Sequence, residues 1–92
     1  MEIMHDESGK KFYFNEDGKK GHLIYQKIKQ NVLDYKSTYI DEEIRGSGYG
    51  KELVKFALEY AKNNNYKIIP SCRMVSIYIA RNKEYENLVS AY

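Results

Sequence analysis

Residues 45–51 read Arg-Gly-Ser-Gly-Tyr-Gly-Lys and place three glycines within five positions. They follow a stretch at 32–40 whose β-branched and aromatic residues are typical of a strand. After them, apolar residues recur at helical spacing, at positions 53, 54, 57, 58 and 61. The glycine-rich segment therefore predicts a sharp turn between a strand and an amphipathic helix that runs from about Gly48 to Asn63.

Upstream of this turn, the sequence predicts an antiparallel meander of three strands. Asp17-Gly18 is a typical hairpin pair between two β-rich segments. Because consecutive strands joined by short turns usually pair with each other, sequence neighbours should also be sheet neighbours. The three strands are expected at residues 11–14, 22–28 and 32–40.

Downstream of the helix, the pattern predicts one more strand and two more helical segments. The strand covers residues 66–69 and is closed by Pro70. A helix is expected from Ser71 to about Arg81, and a short terminal helix at residues 83–92. The order βββαβαα predicts an α/β fold in which an antiparallel sheet, extended by one later strand, is covered by two or three helices. We expect residues 1–92 to form a single domain.

Composition narrows the possible classes of protein. A chain of 92 residues allows one domain with a small core, and 42% hydrophobic residues are too many for a disordered chain. One cysteine excludes an internal disulfide, and an unpaired thiol fits a reducing, cytoplasmic location. The net charge of +2 is too small to indicate nucleic acid, and no apolar run is long enough to span a membrane. His5 and His22 lack the spacing of metal ligands, so no metal is expected.

The glycine-rich segment also predicts an anion site. A helix start presents unpaired backbone N–H groups and the positive end of the helix dipole, which together favour a phosphate or pyrophosphate. The segment fits neither the Walker loop nor the dinucleotide fingerprint. It fits the pattern R-x-x-G-x-G through Arg45, Gly48 and Gly50. The alternative is a turn that only closes the corner between strand and helix.

The R-x-x-G-x-G pattern belongs to the GNAT superfamily of acyl-coenzyme A N-acetyltransferases, and the resemblance extends beyond the loop. The chain is similar to the minimal, single-domain members, and the similarity covers about Tyr35 to Val89. Two departures are Ser37 and Asn82, which stand where that group often has histidines, so no role of those histidines is carried over. The residues that carry the resemblance are Thr38-Tyr39-Ile40, Asp41 to Gly46, Leu53-Val54, Ala57-Leu58, Tyr60-Ala61, Ile69-Pro70, Cys72, Tyr78-Ile79 and Glu84-Tyr85.

The resemblance implies a reduced GNAT-like fold that binds acetyl-CoA or CoA as a small-molecule partner and transfers the acetyl group to an amine. The acceptor amine cannot be identified from the sequence. We expect neither a nucleic acid nor a membrane partner, and a monomer or weak homodimer. The residues implied in cofactor binding are Ile40, Arg45, Gly46, Ser47, Gly48, Tyr49, Gly50 and Lys51.

Cys72 is the first candidate catalytic residue. It lies two residues after Pro70, at a predicted helix start, and both this position and the neighbouring Arg73 favour a thiolate. The thiolate could take an acetyl group from a thioester and pass it to an amine, and the resembling group has a cysteine here that is proposed as a nucleophile. The alternatives are a cysteine that faces the ligand without covalent chemistry and a small buried residue.

Direct attack of the amine on the bound thioester is the alternative chemistry. The resemblance then makes Tyr78 the candidate acid for the leaving thiolate, although its spacing also suits packing against the sheet. Residues 41–43, Asp-Glu-Glu, could supply a base or form a solvated charged run. Two other functions stay open: a non-enzymatic acyl-CoA-binding or sensing module, and a partner-binding domain with a degenerate site.

Overall fold

The computed structural model describes residues 1–90 as a five-stranded sheet with its helices packed against it. The sheet order β1-β2-β3-β4-β5 follows the chain, and every pair is antiparallel except β4 with β5, which is parallel. The strands are β1 (Met4–Asp6), β2 (Lys11–Glu16), β3 (Lys19–Lys29), β4 (Val32–Ile40) and β5 (Lys67–Ile69). The helices are α1 (Tyr49–Asn63) and α2 (Arg73–Arg81), and short 3-10 turns occupy Glu42–Ile44 and Lys83–Leu88.

The meander, the α1 crossover and α2 confirm the predicted fold class. The strand β1 was not predicted, because three residues, Met-His-Asp, carry no alternating pattern; it forms by pairing with β2. The predicted terminal helix is a 3-10 turn over Lys83–Leu88, after which Val89 forms a parallel bridge with Ile68. Residues 91 and 92 of that predicted helix lie outside the described residues.

The core lies between one face of the sheet and the helices. Alternate residues of the strands point to this face, as the period of two requires. The Tyr35 hydroxyl crosses the core and donates a 2.6 Å hydrogen bond to the Ala57 carbonyl of α1. This bond ties β4 to the middle of α1 and satisfies a buried hydroxyl. The core includes Phe12, Phe14, Leu23, Tyr35, Leu53, Val54, Leu58, Ile68 and Val75.

The feature that positions the site is a fork between β4 and β5. The two strands pair only from Val32 to Asp34 on β4. The pairing of β4 with β3 shifts register immediately afterwards, leaving Lys36 as an extra, bulged residue. A bulge bends and twists its strand. Here it lies just where β4 parts from β5, so the β5-facing edge of β4 from Lys36 to Ile40 has no strand partner within residues 1–90.

In the part of the chain that the structure describes, no helix is long and apolar enough to cross a membrane. The longest, α1, has 15 residues and buries one stripe only, at Leu53, Val54, Ala57, Leu58 and Ala61.

Candidate functional site

The glycine loop, residues 45–50, turns the chain from the end of β4 into α1. Gly46 and Gly48 have φ angles of 85° and 94°, a region in which side chains other than glycine are strained. A Cβ atom placed on either glycine would meet nothing within 4 Å. The two glycines are therefore required by backbone conformation, and the space beside them is open to a ligand.

The start of α1 offers a row of unpaired donors. Gly48 is the N-cap residue in the left-handed conformation, and no side chain caps the helix. The first backbone bond into the helix runs from the Glu52 N–H to the Gly48 carbonyl, at 3.1 Å. Within residues 1–90, the N–H groups of Gly46, Gly48 and residues 49–51 have no hydrogen-bond partner. Unpaired donors of this kind, together with the helix dipole, make a helix start favourable for an anion.

Arg45 is held beside the loop by two contacts. Its Nε donates a 2.8 Å hydrogen bond to the Ile40 carbonyl at the end of β4. Its guanidinium carbon lies 5.7 Å from the centroid of the Tyr39 ring. The buried Ile40 thus positions Arg45 through its backbone, while Lys51 is exposed on the first turn of α1. Both cations add positive charge near the start of α1.

The first turn of α1 is fixed by contacts on either side. The Tyr49 ring packs edge-on against Phe14 of β2, with centroids 5.5 Å apart. A Cβ on Gly50 would lie 3.2 Å from the Met74 sulfur, so the loop and the start of α2 are in close contact. The backbone of Gly50 therefore lies close to α2. A larger residue at this position would require Met74 to move. Ser47 donates through both its N–H and its hydroxyl to the Ile44 carbonyl, which closes the turn.

Cys72 lies in the fork between β4 and β5. Its N–H donates a 2.8 Å hydrogen bond to the carbonyl of Tyr35. Tyr35 follows Asp34, the last residue of β4 that pairs with β5. Cys72 itself is 8% exposed, and its Sγ is 3.3 Å from the Thr38 Oγ1. Cys72 is also the N-cap residue of α2, with no side-chain cap. The thiol is thus held at the fork by a strand on one side and a helix start on the other.

Thr38 is the functional candidate that sequence reasoning missed. It belongs to the stretch that carries the family resemblance, but no role was assigned to it. Its contact with Cys72 joins residues 34 positions apart, and no local pattern encodes such a contact. The alternation of side chains along a strand places Thr38 on the same face of β4 as the buried Ile40. This alternation is the sequence signal that could have placed Thr38 on the side covered by the helices.

Tyr78 lies on α2 and packs against the core. Its ring packs near Tyr85, with centroids 6.0 Å apart. Burial, and then the charge of Glu84, raise the pKa of Tyr78, so its hydroxyl is protonated at neutral pH. No hydrogen bond or ring contact joins Tyr78 to Cys72 or Thr38 in the described part of the chain.

The acidic run at 41–43 divides into two kinds of residue. Asp41 accepts a 2.7 Å hydrogen bond from the Lys20 N–H, and its own N–H donates to the Lys20 carbonyl. Asp41 therefore continues the pairing of β3 and β4 beyond Ile40. Glu42 and Glu43 are exposed, as a solvated charged run requires. Over residues 1–90, no three His, Cys, Asp or Glu side chains are grouped as metal ligands would be.

Comparisons with known proteins agree with this architecture. A family model described as GCN5-related N-acetyl-transferase matches residues 11–88. Protein NATD1 of Gallus gallus is 24% identical over 84 residues, which cover 89% of this chain and 76% of the relative. Protein NATD1 of Homo sapiens is also 24% identical, with 89% and 74% covered.

The fold is also found among solved structures. The NMR solution structure of a GCN5-like candidate N-acetyltransferase from Staphylococcus aureus is similar to this chain with a TM-score of 0.73 and 28% sequence identity. The similarity covers 99% of this chain and 89% of the other. Family membership supports acetyltransferase activity. Because the family model spans most of the chain and the fold agrees, the chain belongs to the GCN5-related N-acetyltransferase family.

Proposed function

We propose that the protein binds acetyl-CoA and transfers its acetyl group to an amine. Acetyl-CoA is the usual acetyl donor of this family, and it carries a pyrophosphate, an arm with two amides and a thioester. The observation that carries the proposal is the row of unpaired N–H groups at the start of α1, which lies next to the unpaired edge of β4. One extended ligand can use both.

The pyrophosphate is assigned to the N–H groups of the glycine loop and the first turn of α1. Gly46 and Gly48 leave open space there, so phosphate oxygens can approach the backbone closely. Arg45 and Lys51 add charge, and the bond from Arg45 to the Ile40 carbonyl keeps the guanidinium at the end of β4. Tyr49 and Gly50 hold the first turn in place through Phe14 and Met74.

The amide-containing arm is assigned to the free edge of β4. An extended chain with amides can pair with an exposed strand edge by backbone hydrogen bonds, as peptides do in β-augmentation. From Ile40 back to Lys36, this edge spans roughly 13 Å at about 3.3 Å per residue. The arm then leads from the glycine loop toward the fork, where Thr38 and Cys72 meet. The thioester would lie beside the thiol.

Two routes for the acetyl group follow from this placement. In the covalent route, the Cys72 thiolate attacks the thioester carbonyl, CoA leaves as a thiolate and takes up the proton released by the cysteine. An amine then attacks the acetyl-cysteine, loses a proton and regenerates Cys72. In the direct route, the amine attacks the bound thioester and gives up a proton to water or a base, while an acid protonates the CoA thiolate. Tyr78 is the candidate for that acid, since its raised pKa keeps it protonated.

The competing proposal is a module that binds acyl-CoA without turnover. The Asp41 carboxylate, one candidate base, is already engaged by the Lys20 N–H. Positions 37 and 82 hold serine and asparagine, so neither supplies an imidazole. These observations leave few candidate bases, which is what a module without turnover would show. An acetyl-transfer assay on a panel of amines separates the two functions.

A thermal-melting titration tests the binding proposal. At acetyl-CoA concentrations ten times Kd, a site present only in the folded state adds about 1.4 kcal/mol of stability. For a chain of this size, that raises Tm by roughly 5–10 °C. Intact-mass analysis of the protein after incubation with acetyl-CoA reports whether Cys72 carries an acetyl adduct. An unchanged Tm at millimolar acetyl-CoA and CoA would contradict the proposed site.

A further inference from the structure

Within residues 1–90, one face of the sheet carries no helix. The helices α1 and α2 both contribute to the single core cluster, together with Phe12, Leu23 and Tyr35 from the strands. Residues between these point to the opposite side of the sheet. The Cα atoms extend only 19 Å along the shortest axis, which accommodates two layers about 10 Å apart. Within residues 1–90, no element forms a third layer.

The centre of this uncovered face is apolar and aromatic. The strand register aligns Met4, Tyr13, His22 and Tyr39 in one row across four strands, and Ile24 lies in the next row. Met4, Ile24 and Tyr39 are 42%, 40% and 45% exposed. The His22 and Tyr39 rings are 5.6 Å apart. An antiparallel sheet that faces water normally carries polar residues on that side, so this face has the composition of an interface.

Charges of both signs surround the apolar row. Lys11 lies over the Tyr13 ring at 5.5 Å, and Arg45 lies over the Tyr39 ring at 5.7 Å. The Asp41 carboxylate beside Tyr39 raises the pKa of its hydroxyl.

The exposed Lys36 ammonium lies 3.6 Å from the carboxylate of Asp34, which is itself buried at 8% exposure, so of this pair only Lys36 is presented to a partner. A polyanion such as a nucleic acid favours a surface of one sign. A mixed surface is complementary to itself when a two-fold axis brings it against its own copy.

The area of the face fits a weak dimer. The four strands have 3, 6, 11 and 9 residues, and at about 3.3 Å per residue and about 4.8 Å between strands they cover roughly 450 Å². Two such faces bury about 900 Å², just under the roughly 1,000 Å² expected of a stable interface and in the range of weak, transient ones. The face is thus large enough for association of two copies, and small enough that the dimer dissociates on dilution.

We propose that the uncovered face (Met4, Tyr13, His22, Ile24 and Tyr39) binds the same face of a second copy and forms a reversible two-fold dimer. The interface completes a third layer over the sheet: helices, sheet, and the sheet of the partner. It lies on the side of the sheet opposite Cys72 and Thr38, so association leaves the fork accessible. The proposed dimer does not require acetyl-CoA, although Arg45, which lies 5.7 Å from the centroid of the Tyr39 ring, borders both this face and the proposed acetyl-CoA site.

Sedimentation velocity from micromolar to millimolar protein tests the proposal. The wild-type chain is expected to change from monomer to dimer over this range. Ile24→Lys places a charge at the centre of the face and should weaken the dimer by about tenfold or more. The matched control is Ile77→Lys on α2, because Ile77 is 38% exposed and lies away from the face. It should leave the dimer unchanged.

A chain that stays monomeric to millimolar concentration would overturn the proposal, as would a dimer that Ile77→Lys weakens and Ile24→Lys does not. If Ile24→Lys fails to fold, the wild-type protein gives the answer by NMR. Amide shifts that depend on protein concentration should then be confined to strand residues around Tyr13, His22 and Tyr39. Shifts confined to α2 would refute the proposed face.

Discussion

The glycine loop and the fork are two parts of one proposed site, and they arise in different ways. The loop is made by six consecutive residues, 45–50, and its geometry follows from glycines that adopt positive φ angles. The fork is made by contacts between Cys72 and the strand residues Tyr35 and Thr38, across 37 and 34 positions. The loop is therefore a local structure, while the fork exists only in the folded chain.

This difference explains how much of the site could be predicted. The pattern Arg45, Gly48, Gly50 identified the loop, because the backbone turn that the motif encodes is set by the motif itself. Cys72 was identified by its place at a predicted helix start and by the family resemblance, but its partner Thr38 was not. The fork depends on the bulge at Lys36, and nothing in the sequence around Lys36 marks a bulge. The conformation of the loop should therefore persist when residues elsewhere in the chain are changed. The fork should be sensitive to the loss of a single long-range contact.

The largest effect is expected at the fork, from Cys72→Ala. If the thiol carries the acetyl group, acetyl transfer should fall by at least about 100-fold. The melting shift with acetyl-CoA should persist, because the donors at the start of α1 are unchanged. Steady-state kinetics with an amine acceptor and intact-mass analysis measure both. Cys72→Ser is the matched variant, since it retains a hydroxyl near Thr38 but not the nucleophile. Full activity in either variant would exclude the covalent route.

The next effect is expected at the loop, from Gly48→Ala. A side chain at a φ of 94° costs about 1–2 kcal/mol of unfolding free energy. The new methyl group also enters the space assigned to the pyrophosphate, so affinity for CoA should fall by about tenfold. Gly18→Ala is the matched control, because Gly18 has a φ of 83° and equally open surroundings in the turn between β2 and β3.

The two glycine variants should lose similar stability, as chemical denaturation reports. Only Gly48→Ala should lose CoA affinity, as calorimetry reports. Equal CoA affinity in the two variants would mean that the loop is only a corner between strand and helix.

A smaller effect is expected from Thr38→Val, which removes the hydroxyl 3.3 Å from the Cys72 sulfur. Loss of this positioning contact should lower kcat by about tenfold and leave KM for acetyl-CoA unchanged. Thr38→Ser should restore most of the rate, because it keeps the hydroxyl. If the valine variant raises KM and leaves kcat intact, Thr38 contacts the ligand and does not position the thiol.

The smallest effect is expected from Arg45→Ala. The guanidinium lies at the protein surface, so water and salt screen its attraction for a phosphate. CoA affinity should fall by about two- to fivefold, and the loss should shrink at high salt. Lys55→Ala, which removes an exposed charge from the middle of α1, serves as control and should have no effect. An Arg45→Ala loss that is independent of salt would point to a structural role through the Ile40 carbonyl.

The fold shows the same division between local and long-range information. The apolar stripe at Leu53, Ala57 and Leu58 predicts α1 because its period is encoded along the chain. The strand β1 has no such pattern and forms only because β2 offers an edge. The terminal segment was predicted as a helix from Tyr85 and Leu88, which are buried as expected. Its backbone is a 3-10 turn because Val89 immediately joins Ile68 in a bridge.

The most direct test of the proposed site is an NMR titration of ¹⁵N-labelled protein with acetyl-CoA. The account predicts saturable shifts of the backbone amides in two segments, Gly46 to Lys51 and Lys36 to Ile40, and of the Cys72 amide. Amides of the turn around Gly18 should not move. Binding that shifts other surfaces and leaves both segments unchanged, or no shift at millimolar acetyl-CoA, would contradict the account.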